Sequence, residues 1–183
     1  MFSEVFTRLS ISSLIEFHSE YYQKMLQEDS RDYMAFQTMQ NMYRPPTLVQ
    51  GAIYSISAFV GVSWKILNTN LGLIAEILID DVGVIGPNSR YGEEEVEGLP
   101  GVRRLVMEHL QILVNVLANV ERAGETLSRV KFDWSWNSVK IVWCVCGEAR
   151  LWPEASEVNK VSNHPRRKNR TECRAFFRLC TCY

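Results

Sequence analysis

At 183 residues the chain is long enough for one domain around one sizeable core and too short for two ordinary ones. With 46% apolar and 22% charged residues it is neither a disordered chain nor a polytopic membrane protein. A formal net charge of −1 supplies no overall field for holding a polyanion, so no nucleic-acid partner is expected.

The opening residues, MFSEVFTRLSISS, carry Glu4 and lack a continuous apolar stretch, which makes a poor secretory leader. An intracellular, reducing setting is therefore expected for the five cysteines, Cys144, Cys146, Cys173, Cys180 and Cys182. Ser13 and Glu16 have capping-box spacing, and Leu14, Phe17, His18, Tyr21 and Met25 follow on one helical face. A second helix is predicted over 31–43, where Met and aromatic residues read as packing surface. Pro45 and Pro46 end it.

From Ile53 through Ile56, Val60, Trp64, Leu67, Leu71, Ile74 and Leu78, apolar residues recur every three or four positions. Gln50, Tyr54, Ser57, Gly61, Lys65, Asn68, Gly72 and Glu76 form an opposing polar stripe, so 48–78 reads as a long amphipathic helix. A membrane span with its stripe hidden against another helix is the alternative. Residues 80–101 hold glycines, prolines and the acids Glu93, Glu94, Glu95 and Glu97. They read as a solvated loop, without the glycine spacing of a phosphate cradle. A further long helix is predicted over 102–130, with Val102, Val106, Leu110, Leu113, Leu117, Val120, Ala123, Leu127 and Val130 as its seam and a bend allowed at Gly124. Beyond Lys131, Ile141 to Cys146 suits a buried strand, and Trp134 and Trp136 precede it as an aromatic belt would. From Arg150 onward no periodicity remains.

The segment from Leu113 to Trp134, LVNVLANVERAGETLSRVKFDW, resembles the membrane-proximal helix of multiple-C2-domain transmembrane proteins. The matching positions are Val116, Leu117, Gly124, Glu125, Phe132 and Trp134. Asn137 and Ser138 stand where that family usually has a proline. The resemblance implies a piece of an endoplasmic-reticulum membrane-tethering protein.

The paired cysteines are spaced C-x-C rather than the C-x₂₋₄-C of structural zinc sites, so Cys144 and Cys146 read as apolar wall and no metal ligands are assigned. His18 lies on an apolar helical face, His109 on the largest helix and His164 in the tail. None accompanies a recognisable nucleophile, so no catalytic residues, no cofactor and no enzyme activity are expected. The basic patch Arg166, Arg167, Lys168 and Arg170 reads as a solvated charge run, with a nuclear-localisation signal, a phosphate-binding patch or contact with anionic lipid as alternatives.

Together these readings predict a mainly α fold. An antiparallel helical hairpin or bundle would occupy 1–147 as a single domain (loop 80–101), with an irregular, basic, cysteine-containing tail over 148–183. The expected function is a non-enzymatic, membrane-associated tethering or scaffold protein. Its partners would be helices, or its own copies, and a membrane surface met by Phe132, Trp134, Trp136 and Trp143. The expected location is intracellular, on membranes such as the endoplasmic reticulum, or alternatively cytoplasmic. A soluble helical adaptor is the alternative function, and a small zinc protein the third.

Overall fold

The computed structural model describes residues 5–7, 9–134, 138–141, 144–147 and 151–180. Its centre is the stretch AEILIDDVGVI, in which alternate residues face opposite ways, as on any pleated strand. Strands β4 (Ala75–Leu78) and β5 (Asp81–Ile85) form a tight antiparallel hairpin, and β1 (Ser12–Glu16) pairs antiparallel with the other edge of β5. The sheet order is therefore β1-β5-β4.

One face of this sheet presents Ile15, Ala75, Ile77, Val82 and Val84, all buried. Helices α2 (Ile53–Leu67) and α3 (Arg104–Arg122) cover it with Phe59, Leu67, Leu113, Val116 and Val120. Phe59 makes an edge contact with Phe17 at 5.7 Å between centroids and a tilted one with Tyr21 at 5.5 Å. On the other face, Ile85 and Leu14 join a second core with Phe6, Leu9, Val139, Ile141 and Cys146. That core is supplied by a second three-stranded sheet, order β10-β9-β8, built from β8 (Ser138–Ile141), β9 (Cys144–Gly147) and β10 (Leu151–Pro153). Gly83 lies under the ring of Phe6, leaving no room for a side chain.

The remaining elements are short. Helix α1 (Glu28–Arg31) precedes the hairpin β2 (Phe36–Gln37) and β3 (Met42–Tyr43), and β6 (Glu95–Val96) pairs with β7 (Leu99–Arg103) ahead of α3. Helices α4 (Ala155–Ser162) and α5 (Arg170–Cys180) follow β10.

The mainly α expectation is thus overturned, and the reasons are local. Ser13 does not cap a helix. It is buried in β1, where its hydroxyl pairs with Nε2 of His109 on α3 at 2.8 Å. Residues 31–43 give a turn and the β2–β3 hairpin, closed by stacking of Phe36 on Tyr43. The expected helix over 48–78 stops at Leu67. There the carbonyl of Asn70 gathers the amides of Leu73, Ile74 and Ala75, and Gly72 takes φ +74° to turn the chain into β4. Its buried side is Ser55, Phe59, Ser63 and Leu67, while Ile53 and Trp64 of the expected seam are 86% and 53% exposed.

The expected loop 80–101 contains β5, a central strand of the fold, besides β6 and most of β7. Helix α3 survives in shortened form, and Gly124 at φ +71° ends it rather than bending it. No antiparallel helical hairpin forms: the C-terminal ends of α2 and α3 meet, where Asn119 Nδ2 donates to Thr69 Oγ1 at 3.1 Å. The tail is not irregular. Asn169 accepts from the Glu172 amide at 2.9 Å and Glu172 accepts from the Lys168 amide at 2.7 Å, a reciprocal cap that starts α5. Among the described residues no helix is long and apolar enough to cross a membrane.

Candidate active site

The β4–β5 hairpin places two carboxylates at one end of the main sheet. Its turn is made by Ile79 and Asp80, and Ile79 adopts φ +60°, a left-handed backbone that a β-branched side chain strongly resists. Strain of this kind collects at functional sites, where surrounding structure enforces it. Asp81 opens β5, and its direct antiparallel partner on β1 is Glu16. Opposed residues on neighbouring strands put their side chains on the same face, about 5 Å apart at Cβ. Like charges so placed repel, so this pair destabilises the sheet unless a cation offsets it.

The electrostatics carry that signature. Burial, then the neighbouring charges of Asp80 and Glu16, push the Asp81 carboxyl up from 3.8 to about 6, against a lowering contribution from Lys131. Lys131 lies at the end of a 3₁₀ turn, Arg129–Lys131, which runs along the free edge of β1. The amide of Ser128 donates to the Glu16 carbonyl at 2.8 Å, and Leu14 and Asp133 exchange backbone bonds at 3.0 and 2.9 Å. From this anchored segment the Lys131 ammonium bonds the Glu16 carboxylate, and that bond together with Asp80 and Glu20 holds the lysine above its ordinary range.

Glu16, Asp80 and Asp81 are hard oxygen donors, suited to magnesium or manganese and not to softer ions. Among the described residues, no three His, Cys, Asp or Glu side chains converge to enclose a metal ion. Magnesium does not require such a cage, because it is commonly held by one or two carboxylates together with substrate phosphates and water. The oxygen chemistry of these carboxylates suits that ion, although among the described residues they form no enclosing group.

Elsewhere His109 and Cys146 are buried in the cores. Burial pushes His109 down to about 4 and Cys146 up to about 11, leaving both neutral. Phe132 packs against the main core and stacks on the exposed Trp134 at 4.2 Å, whereas Trp136 and Trp143 lie outside the described residues. Of the basic patch, Arg166, Lys168 and Arg170 are exposed, while Arg167 lays its guanidinium 3.3 Å from the centroid of the Phe176 ring.

Sequence reasoning missed Glu16, Asp80, Asp81 and Lys131 as a set. The available signal was an Asp-Asp pair between two apolar runs of strand length, AEILI and VGVI, which suits acids at a hairpin tip.

By sequence, the chain matches no protein-family model and no curated protein. By fold it is similar to solved structures of foamy viral protease-reverse transcriptase. In the complex with an RNA/DNA hybrid, identity is 19% with a TM-score of 0.75 over 94% of this chain and 21% of that one. In the dRH form with double-stranded DNA the figures are 18%, 0.77, 96% and 28%. In another complex with double-stranded DNA they are 19%, 0.75, 97% and 34%. This chain thus spans about a fifth to a third of the length of those proteins. The shared fold is mixed α/β, and the proteins that share it are reverse transcriptases solved with an RNA/DNA hybrid or double-stranded DNA; the helical, membrane-tethering scaffold is thereby overturned, and the expectations of no enzyme and no nucleic-acid partner run against these neighbours.

Proposed function

We propose that this chain is a nucleic-acid-binding unit whose acidic sheet end supports metal-assisted phosphoryl transfer on a polynucleotide. The observation that carries the proposal is the cross-strand pair of Glu16 and Asp81 beside Asp80, at the tip of a strained hairpin. Its setting is a fold shared with reverse transcriptases that hold an RNA/DNA hybrid or double-stranded DNA.

Phosphoryl transfer asks little covalent chemistry of a protein. It needs positioning and positive charge where negative charge develops on the transferred group. A divalent cation bound at the carboxylates supplies that charge as a Lewis acid. One or two of Glu16, Asp80 and Asp81 would hold it, with substrate phosphates and water completing its shell, and the half-buried position of Asp81 would limit the water that screens it. The net charge of −1 is no obstacle, because Arg166, Lys168, Arg170 and Arg174 concentrate exposed positive charge in one stretch. Phosphate contacts depend on such local charge rather than on the chain's total.

The test is fluorescence anisotropy of a labelled RNA/DNA hybrid with a recessed 3′ end, followed by single-nucleotide extension with magnesium. Expected are salt-sensitive binding and extension that falls about 100-fold or more in Asp80→Asn and Asp81→Asn while binding persists, several kcal/mol being what a lost metal site removes. Failure to bind the hybrid, or extension indifferent to both substitutions, would overturn the reading.

A further inference from the structure

From Tyr33 to Trp64 the chain carries one charged residue, Arg44, although Lys, Arg, Asp and Glu make up 22% of the whole. In their place stand Met34, Met39 and Met42 with Tyr33, Tyr43, Tyr54 and Trp64. Loss of charge with gain of Met and aromatic rings is the composition of a protein–protein interface rather than of solvated surface. The structure exposes this stretch in two places. Every residue from 36 to 44 is exposed and none joins either core, so the β2–β3 hairpin stands clear as an arm. A lone two-stranded hairpin is marginal in water and gains from a surface to rest on. The stacked rings of Phe36 and Tyr43, with Thr38, Met39 and Gln40, line an open hollow of about 480 Å³ on it. The second place is α2, whose 15 residues include one charge, Lys65. Its outer side presents Ile53, Tyr54, Ile56 and Trp64 to water.

We propose that these two surfaces join two copies of the chain, the arm of each lying on α2 of the other with the partner's Trp64 in the arm's hollow. The occupant follows from fit, area and charge. The hollow is walled by rings, a thioether and neutral polar groups, and Trp64 is the largest side chain exposed on α2, a knob of matching chemistry. Hollow and knob belong to the same chain, so one two-fold axis satisfies both at once and closes the assembly at two. At about 200 Å² for a wholly exposed side chain of this size, the exposed apolar residues of arm and helix offer roughly 1,200 Å² per copy. A standard interface takes about 800 Å² from each partner, whereas the largest apolar patch on an ordinary monomer is about 300–600 Å². A membrane surface is disfavoured, because an interfacial helix needs a cationic face and α2 has Lys65 alone. This interface is independent of the acidic strand end, so either can fail without the other.

The experiment is sedimentation velocity of the full chain across the micromolar range. The unmodified protein should sediment as a dimer at the upper end and dissociate on dilution. Met39→Asp, on the arm, and Trp64→Asp, on the helix, should each weaken association about 30-fold or more, as loss of an interface anchor does. Melting curves verify that each variant folds, and the exposed Met42→Asp and Ile53→Asp replace them if either does not. Mixing the arm variant with the helix variant decides the geometry. One intact arm then meets one intact helix, so the mixture should associate more tightly than either variant alone. Arm-to-arm or helix-to-helix pairing gives no such recovery, and its absence would overturn the exchange. A monomer at every concentration, association indifferent to both substitutions, or open-ended assembly beyond the dimer would also overturn it. So would flotation of the monomer with phosphatidylcholine vesicles that both substitutions abolish, which would assign the surface to lipid.

Discussion

Replacing Asp81 by asparagine should make the protein more stable above neutral pH, although the change removes a residue of the proposed site. The carboxyl titrates near 3.8 when free and at about 6 in the fold, because burial, Asp80 and Glu16 all disfavour its charge. The sign follows from proton counting. Between those two pH values the folded protein keeps a proton that the unfolded chain has released, so stability falls as pH rises through the window. Above pH 6 the full penalty is present, and below pH 3.8 it is absent. At 1.36 kcal/mol per pH unit the gap sets a ceiling of about 3 kcal/mol, which partial exposure and solvent screening reduce to about 1–2 kcal/mol. Asparagine keeps the shape and removes the charge, so at pH 8 Asp81→Asn should melt about 2–8 °C higher than the unmodified protein. The assay is thermal unfolding of both proteins from pH 4 to pH 8 in metal-free buffer, where the difference between them isolates this one group. A variant equally or less stable at pH 8, or a difference that fails to shrink toward pH 4, would refute the reasoning.

Three further outcomes follow from packing. A Cβ at Gly86 would overlap the backbone carbonyl of Ile11, and one at Gly83 would overlap the ring of the fully buried Phe6. Chemical denaturation should therefore show Gly86→Ala and Gly83→Ala each losing about 1–3 kcal/mol. The Ser63 hydroxyl is buried on α2 without a hydrogen-bond partner, so Ser63→Ala should be neutral or stabilising by up to about 1 kcal/mol in the same assay. Lys24 and Glu125 form an ion pair at 7% and 10% exposure, with Lys24 lying 5.8 Å from the centroids of both Phe17 and Phe59. Lys24→Met should cost about 3–5 kcal/mol by stranding Glu125, and a second change, Glu125→Gln, should recover much of it.

How far the sequence revealed this fold depends on which periodicity each segment offered. Helix α3 was legible because its apolar spacing is long and uninterrupted, although the buried face proved to be Leu105, His109, Leu113, Val116 and Val120. The stretch from Leu71 to Leu78 was misread because it satisfies two periods at once. Leu71, Ile74 and Leu78 continue the three-to-four spacing of α2, while Ala75 and Ile77 alternate as strand residues. Short apolar runs cannot separate the two patterns. Only the partner strand decides, since Val82 and Val84 add their buried side chains to those of Ala75 and Ile77 across the hairpin. The acidic site was illegible for a related reason. Glu16 lies 65 positions from Asp81 along the chain, and nothing local to either residue announces that β1 and β5 pair in that register. Lys131 was hidden in the same way, arriving at Glu16 through a turn that follows the longest helix.

The register that unites these groups is fixed from both faces of β5. Val82 and Val84 are fully buried against the helices, while Gly83 lies beneath Phe6 and Ile85 enters the second core. A slip of one residue would exchange the faces, driving the Asp81 carboxylate into the helix-covered core and pressing two valines against Phe6 in the second. The unfavourable features at the hairpin tip, strained Ile79 and repelling Glu16 and Asp81, are therefore held by packing on both sides of the strand. Relaxing them would require undoing two cores. The sheet thus fixes the acidic strand end, beside which the Lys131 side chain is exposed to solvent.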